Sequence, residues 1–252
     1  SKGEVYPQML SMQTRLGYSA IRATEWTNGE RGYTLLSSGL DSHDSVFNVE
    51  GGLLSYLRSK QGVLGRPVRI LDYGCGMNQL SRDLVKELGD VVECTGISAG
   101  DPRSHEEKEF DYENGVHFFN QQINAFPKTG KFDLITSLTT FIHLPDPLRT
   151  LKQMYSRLEV GGEIRVSCDE YSLARGFFDN KDEDSALKDA HEAIKRLNAL
   201  GIPMRFLDGN LQINKTKKSP QELPLVKIVQ YKTPSNEKMG YGAYRLKLHS
   251  TF

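Results

Sequence analysis

Charge imbalance is missing from this sequence: 32 Lys and Arg residues meet 32 Asp and Glu residues, for a formal net charge of zero. No global field therefore draws in nucleic acid or an anionic membrane, and neither is expected as a partner. The one dense basic run, Lys215, Lys217 and Lys218, reads as a solvated loop. Cysteine is scarce as well. Three residues cannot all pair internally, and Cys75, Cys94 and Cys168 lack metal-ligand spacing, so no metal is expected. Cys94 and Cys168 lie in apolar strand-like runs as small core residues. This usage suits a reducing compartment, and the expected location is cytoplasmic. Long hydrophobic runs are absent too: no stretch reaches the length of a membrane span, and the first residues lack a signal peptide's apolar region. The chain begins at Ser1 rather than Met, which leaves a trimmed leader open. Internal repeats and low-complexity segments are missing, and nothing sets the oligomeric state.

What is present alternates. From Val68 onward, strand-like runs take turns with helix-like runs, the pattern of a parallel sheet covered on both faces. The strands are expected at Val68 to Asp72, Val91 to Ile97, Val116 to Asn120, Phe132 to Ser137 and Glu163 to Cys168. Their apolar, β-branched content suits burial on both sides. Leu80, Leu84, Val85 and Leu88 recur at helical spacing and Gly89 closes that run. Asp146 and Pro147 open a second helix as N-cap and N1 residues, and its stripe from Leu148 to Leu158 is expected to stop near Gly161-Gly162. A third helix spans about Asp182 to Leu200. Two hairpins follow, Met204 to Leu207 with Leu211 to Lys215, and Leu225 to Lys232 with Ala243 to His249, so the sheet should end in antiparallel strands.

The expected fold is therefore α/β, a doubly wound and mostly parallel sheet with antiparallel C-terminal strands, plus an N-terminal capping segment over residues 1–45. From about Asp44, Val46, Val49, Leu53, Leu54 and Leu57 mark one amphipathic helix leading into the first strand. Trp26, Tyr18 and Tyr33 either cover a ligand cleft or anchor the first segment on the core, and the two readings weigh equally.

Ligands of open α/β sheets bind beyond the carboxyl ends of the strands. The first strand ends in Asp72 and breaks into the turn Tyr73-Gly74-Cys75-Gly76, where glycines let the backbone approach a ligand beside a carboxylate. Gln79 stands where the dinucleotide fingerprint requires its third glycine, which counts against a nicotinamide oxidoreductase. Ser98 follows the second strand; Ile123, Asn124 and Ala125 follow the third; Ser137, Leu138, Thr139 and then His143 follow the fourth.

The segment Ile70-Leu-Asp-Tyr-Gly-Cys-Gly resembles the first motif of class I S-adenosylmethionine-dependent methyltransferases. The resemblance continues through Phe132-Asp-Leu-Ile-Thr-Ser, Phe141-Ile-His-Leu-Pro-Asp-Pro and Leu158-Glu-Val-Gly-Gly-Glu-Ile, in order and at the usual distances. It covers about Val68 to Cys168, and it implies a Rossmann-like domain over residues 46–252 with a substrate-side insertion at about 169–214. The cofactor implied is S-adenosyl-L-methionine. By the resemblance, Gly74 and Gly76 pass under its methionine part, with Tyr73 and Cys75 in the same turn, and Asp72 lies near its amino group. Ile97 and Ser98 border the ribose, Ile123, Asn124 and Ala125 the adenine, and Ser137 and Leu138 the reacting sulfonium. His143, Asp169 and Glu170 are the candidate bases for an oxygen or nitrogen nucleophile. The acceptor implied is a small molecule or a protein side chain.

Three residues depart from the family pattern. Asn78 replaces the third glycine, although Asn tolerates left-handed geometry best after Gly. Ser98 replaces an acidic ribose ligand, and a loop folding back would bring Asp101 to the same place. Asn124 replaces an aspartate. These departures support the alternative of a catalytically silent methyltransferase-like binding module.

Overall fold

The computed structural model describes residues 24–27, 32–35, 38–98, 100–120, 130–141, 147–168, 183–207, 209–231 and 241–246. Two short strands, β1 (Thr24–Thr27) and β2 (Gly32–Leu35), pair antiparallel and set Trp26 opposite Tyr33. Two helices follow, α1 (Leu40–Phe47) and α2 (Gly52–Leu64). Then come β3 (Val68–Tyr73), α3 (Gln79–Leu88), β4 (Val92–Ser98), α4 (His105–Glu113), β5 (His117–Asn120), β6 (Phe132–Ser137), α5 (Pro147–Ser156) and β7 (Leu158–Ser167). The remaining elements are α6 (Glu183–Ala199), β8 (Met204–Leu207), β9 (Asn210–Asn214), β10 (Leu225–Tyr231) and β11 (Tyr241–Leu246).

Seven strands form one sheet in the order β5-β4-β3-β6-β7-β9-β8. Neighbours run parallel from β5 to β7, and β9 is antiparallel to both β7 and β8. The strand order reverses beside β3, which pairs with β4 on one side and β6 on the other, and ligands of open α/β sheets bind at the carboxyl ends of such a switch point. The doubly wound, mostly parallel sheet read from the sequence is the sheet observed.

Period-two alternation divides each central strand between two cores. Val68 and Ile70 of β3 join Leu53, Leu57, Leu80 and Leu84 from α2 and α3 on one face. Leu71 and Tyr73 join Leu151, Met154, Tyr155 and Leu197 from α5 and α6 on the other. Asp72, two residues after Ile70, thereby falls on the α2–α3 side and is buried.

Several expectations are corrected. The single helix from about Asp44 is two helices, because Asn48, Gly51 and Gly52 all adopt positive φ and break the run. The Asp44 carboxylate then caps the new N-terminus, accepting from the Leu53 amide at 2.6 Å. The helix opened by Pro147 ends at Ser156 rather than near Gly161-Gly162, and β7 starts at Leu158 and runs through both glycines. Gly161, at φ +85, bends the strand without ending it. The second C-terminal hairpin, β10 with β11, forms its own two-stranded sheet. Lys215 is not solvated: it is 1% exposed, while Lys217 and Lys218 are exposed as expected.

Candidate functional site

The switch point beside β3 is built from the ends of β3, β4 and β6. Gly74 and Cys75 both donate backbone N–H groups to the Ile97 carbonyl, at 2.8 and 3.1 Å, which folds the chain tightly back over the end of β4. Gly74 takes φ +83 and Gly76 φ +55. A Cβ on Gly74 would stand 2.0 Å from the Thr140 hydroxyl, so the backbone at this point is bare by necessity. Thr140 in turn donates to the Gly74 carbonyl at 3.2 Å. Beside it, Thr139 holds φ 57, a left-handed conformation that costs a β-branched residue about 1–2 kcal/mol. Its amide donates to the Ser167 hydroxyl at the end of β7, which secures the loop in that conformation.

Asp72 is 3% exposed. The Thr136 hydroxyl donates to its Oδ1 at 3.3 Å, and His43 Nε2 lies 3.8 Å from the same oxygen. Among the described residues no Lys or Arg pairs with it. Ser137, at the end of β6, is fully buried and its Oγ has no hydrogen-bond partner among the described residues. Among the described residues, then, a buried carboxylate without a Lys or Arg and a buried hydroxyl without a partner lie at adjacent strand ends, and groups so buried call for polar partners.

Asn78 takes φ 66 as the N-cap of α3 and is fully buried. Its Nδ2 donates to Asp111 of α4 at 3.2 Å, and its Oδ1 accepts from Ser81 at 2.7 Å. The amide crosses directly over Gly96 of β4, where a Cβ would lie 2.2 Å from Asn78 Oδ1. The departure from glycine is therefore a built joint between the turn, β4 and α4. Asp101 is committed elsewhere: Arg103 grips both its oxygens through Nε and NH2, at 2.8 and 3.0 Å, and Lys108 lies at 3.4 Å. Burial opposes the charge on Asp101, but the Arg103 hydrogen bonds outweigh it and hold the carboxyl below its ordinary range. Arg103 also reaches Asp111 at 2.9 Å and stacks 3.6 Å above the Phe118 ring.

The structure brings together Asp72, Gly74, Gly76, Ile97, Ser98, Ser137 and Leu138 at the carboxyl ends of β3, β4 and β6. Tyr73 is in the same turn, but alternation sends its side chain to the opposite core, where burial pushes its phenol up and Thr150 is its hydrogen-bond partner. Cys75 is buried, and burial followed by the Asp72 charge raises its thiol well above normal, which keeps it protonated and unreactive. Ile123, Asn124, Ala125, His143, Asp169 and Glu170 lie outside the described residues. Sequence reasoning missed His43, Thr136 and Thr140. Thr136 was legible as the fourth-strand partner of Asp72; His43 and Thr140 gave no signal, because only the folded chain brings them to the turn.

A family model described as a methyltransferase domain matches residues 51–203. A ubiquinone biosynthesis O-methyltransferase from Nitrosococcus oceani is 34% identical over 118 residues, 45% of this chain and 48% of that protein. A sarcosine/dimethylglycine N-methyltransferase from Halorhodospira halochloris is 26% identical over 170 residues, 61% of this chain and 60% of that protein. The chain thus spans about half the length of the first of these relatives. Among solved structures, the magnesium protoporphyrin IX methyltransferase from Synechocystis PCC 6803, with bound S-adenosylmethionine, matches at 13% identity, covering 85% of this chain and 97% of that one with a TM-score of 0.46.

Proposed function

The chain belongs to the class I S-adenosylmethionine-dependent methyltransferase family, and from that premise we propose that it moves a methyl group from S-adenosyl-L-methionine to an oxygen or nitrogen nucleophile of a small molecule or a protein side chain. The observation that carries this reading is Asp72: a buried carboxylate beside a bare glycine turn, with no Lys or Arg partner among the described residues. The residues present fit the cofactor, whose ammonium answers the buried Asp72 carboxylate.

When bound, the cofactor supplies a sulfonium methyl group for in-line displacement. The protein's part is to hold, orient and exclude water. Asp72 holds the amino group. Gly74 and Gly76 pass under the methionine part, their turn fixed by the Ile97 carbonyl and by Thr140. Ser98 takes the ribose edge, and Ile123, Asn124 and Ala125 border the adenine. Ser137 and Leu138 line the floor, the free Ser137 hydroxyl facing polar substrate or cofactor atoms. His143, Asp169 and Glu170, beyond β6 and β7, are the candidates to take a proton from the nucleophile. Relatives named for both O- and N-methyl transfer support either acceptor atom, and relatives named as methyltransferases give the silent-module alternative no support. That alternative also loses Asn78, which seats in the turn rather than disrupting it. Three buried free cysteines fit the reducing cytoplasm, and no described helix is long and apolar enough to cross a membrane.

Calorimetry with S-adenosylmethionine and S-adenosylhomocysteine tests the reading. Saturable binding is expected, weakened about tenfold or more in Gly74→Ala, where the new Cβ overlaps Thr140. Absence of binding to the native chain at millimolar ligand would sink it.

A further inference from the structure

His43 is 1% exposed, and it comes from α1, ahead of the matched methyltransferase region. Its Nδ1 lies 2.9 Å from the Gly39 carbonyl. A carbonyl only accepts, so Nδ1 carries the proton that faces Gly39, and Nε2 is the ring nitrogen turned to Asp72. That nitrogen is buried, has no hydrogen-bond partner among the described residues, and lies 3.8 Å from Asp72 Oδ1. Among the described residues nothing bonds to Nε2, and Asp72 Oδ1 takes only the Thr136 hydroxyl. Such a pair is satisfied by one group carrying several N–H bonds.

The ring is aimed by more than its own helix turn. The Leu40 amide donates to Asp83 of α3 at 3.0 Å, which fixes the start of α1. At its other end, Arg165 of β7 donates to the Phe47 carbonyl at 3.0 Å, and Asn210 of β9 donates to the Val46 carbonyl. The Phe47 ring packs against the imidazole at a centroid distance of 5.6 Å. Helix α1 is therefore pinned at both ends with its histidine directed at the cofactor turn.

We propose that His43 and Asp72 form a two-point clamp for the ammonium of the cofactor's methionine part, the imidazole accepting one N–H and the carboxylate another. The inference rests on the cofactor reading above. It makes His43 a positioning residue for the amino-acid end of the ligand, and it makes α1 part of the binding site.

The test compares S-adenosylhomocysteine with its deaminated analogue, which lacks only the amino group, by calorimetry on the full chain. The native protein should prefer the aminated ligand. His43→Ala should weaken the aminated ligand about tenfold and leave the deaminated one nearly unchanged, so that the preference shrinks. Equal weakening of both ligands would reduce His43 to a structural residue and overturn the clamp, as would no weakening of either. Failure of the native chain to bind either ligand would instead remove the cofactor reading. Should His43→Ala not fold, the 15N resonance of His43 Nε2 in the native chain decides. It should move on adding S-adenosylhomocysteine and stay put with the deaminated analogue, and identical responses to the two would count against the clamp.

Discussion

Asn78 shows how one residue can meet two demands. Its backbone must turn left-handed, at φ 66, which costs an ordinary side chain about 1–2 kcal/mol and Asn less. Its amide must also satisfy Asp111 and Ser81 in a fully buried setting. These demands separate under mutation. Asn78→Gly keeps the turn and loses only the amide, for an expected destabilisation of about 1–2 kcal/mol. Asn78→Ala loses both and should cost about 1 kcal/mol more, because alanine resists the left-handed region. Urea unfolding of the two variants measures the difference; equal losses would show that the backbone demand is absent. The sequence exposes the first demand and hides the second. Asparagine at a glycine position signals a left-handed turn, but Asp111 lies 33 residues away and becomes its partner only once α4 packs beside β4. Ser98 is similar: its place at a strand end is readable, while the capture of Asp101 by Arg103, which keeps that acid from standing in for it, is not.

At the scale of elements, β6 is tied to the segment entering β3 by one carboxylate. Asp133 receives two Arg66 hydrogen bonds, at 2.7 and 2.8 Å, and the Arg69 amide at 2.9 Å. Burial opposes its charge, yet these donors outweigh burial and hold the carboxyl below the usual range. A depressed folded pKa means the stabilisation is complete above the unfolded value, about 3.9, and is lost as pH falls through the folded one. Stability should therefore decline below about pH 4, and Asp133→Asn should flatten that part of the acid limb while costing about 2 kcal/mol near neutrality. Chemical denaturation across pH 2–7 reads both effects, and an unchanged acid limb would contradict the assignment. Strand identity was legible because β3, β4, β6 and the later part of β7 are apolar runs bounded by turns. Element ends were less so. The stripe of Val49, Leu53 and Leu57 carries across the α1–α2 break because both helices cover the same sheet face, so periodicity alone merges them. Gly161-Gly162 reads as a turn by composition, but the strand passes through it as an irregularity in the β6 register, tied by backbone bonds to Lys215.

The whole molecule separates its chemistry from its anchorage along the strand axis. The glycine turn, Asp72 and Ser137 occupy the carboxyl ends of the parallel strands, whereas Lys215 sits at the amino end of β7, bonded through its backbone to Gly161 and Gly162. Its ammonium is buried, donating to the Tyr155 and Gln221 carbonyls at 3.3 and 3.1 Å and lying 4.8 Å from the Tyr155 ring centre. Burial, then the charge of Lys131, lowers its pKa from the ordinary lysine value. Between the lowered folded value and the unfolded value of about 10.4, the unfolded chain binds more protons, so stability rises with pH across that window. Replacing Lys215 with methionine removes this rise and strands two carbonyls, at an expected cost of about 1–2 kcal/mol near neutral pH. Because the substitution lies at the opposite end of the sheet from Asp72, affinity for S-adenosylhomocysteine should stay within about twofold of the native value. Unfolding measured from pH 7 to 10.5, paired with calorimetry on the same variant, tests both halves. A retained alkaline rise would show that another group carries it. A large loss of affinity would show that the two ends of the sheet are coupled, and that the stability of the amino end is itself part of how the binding end is held.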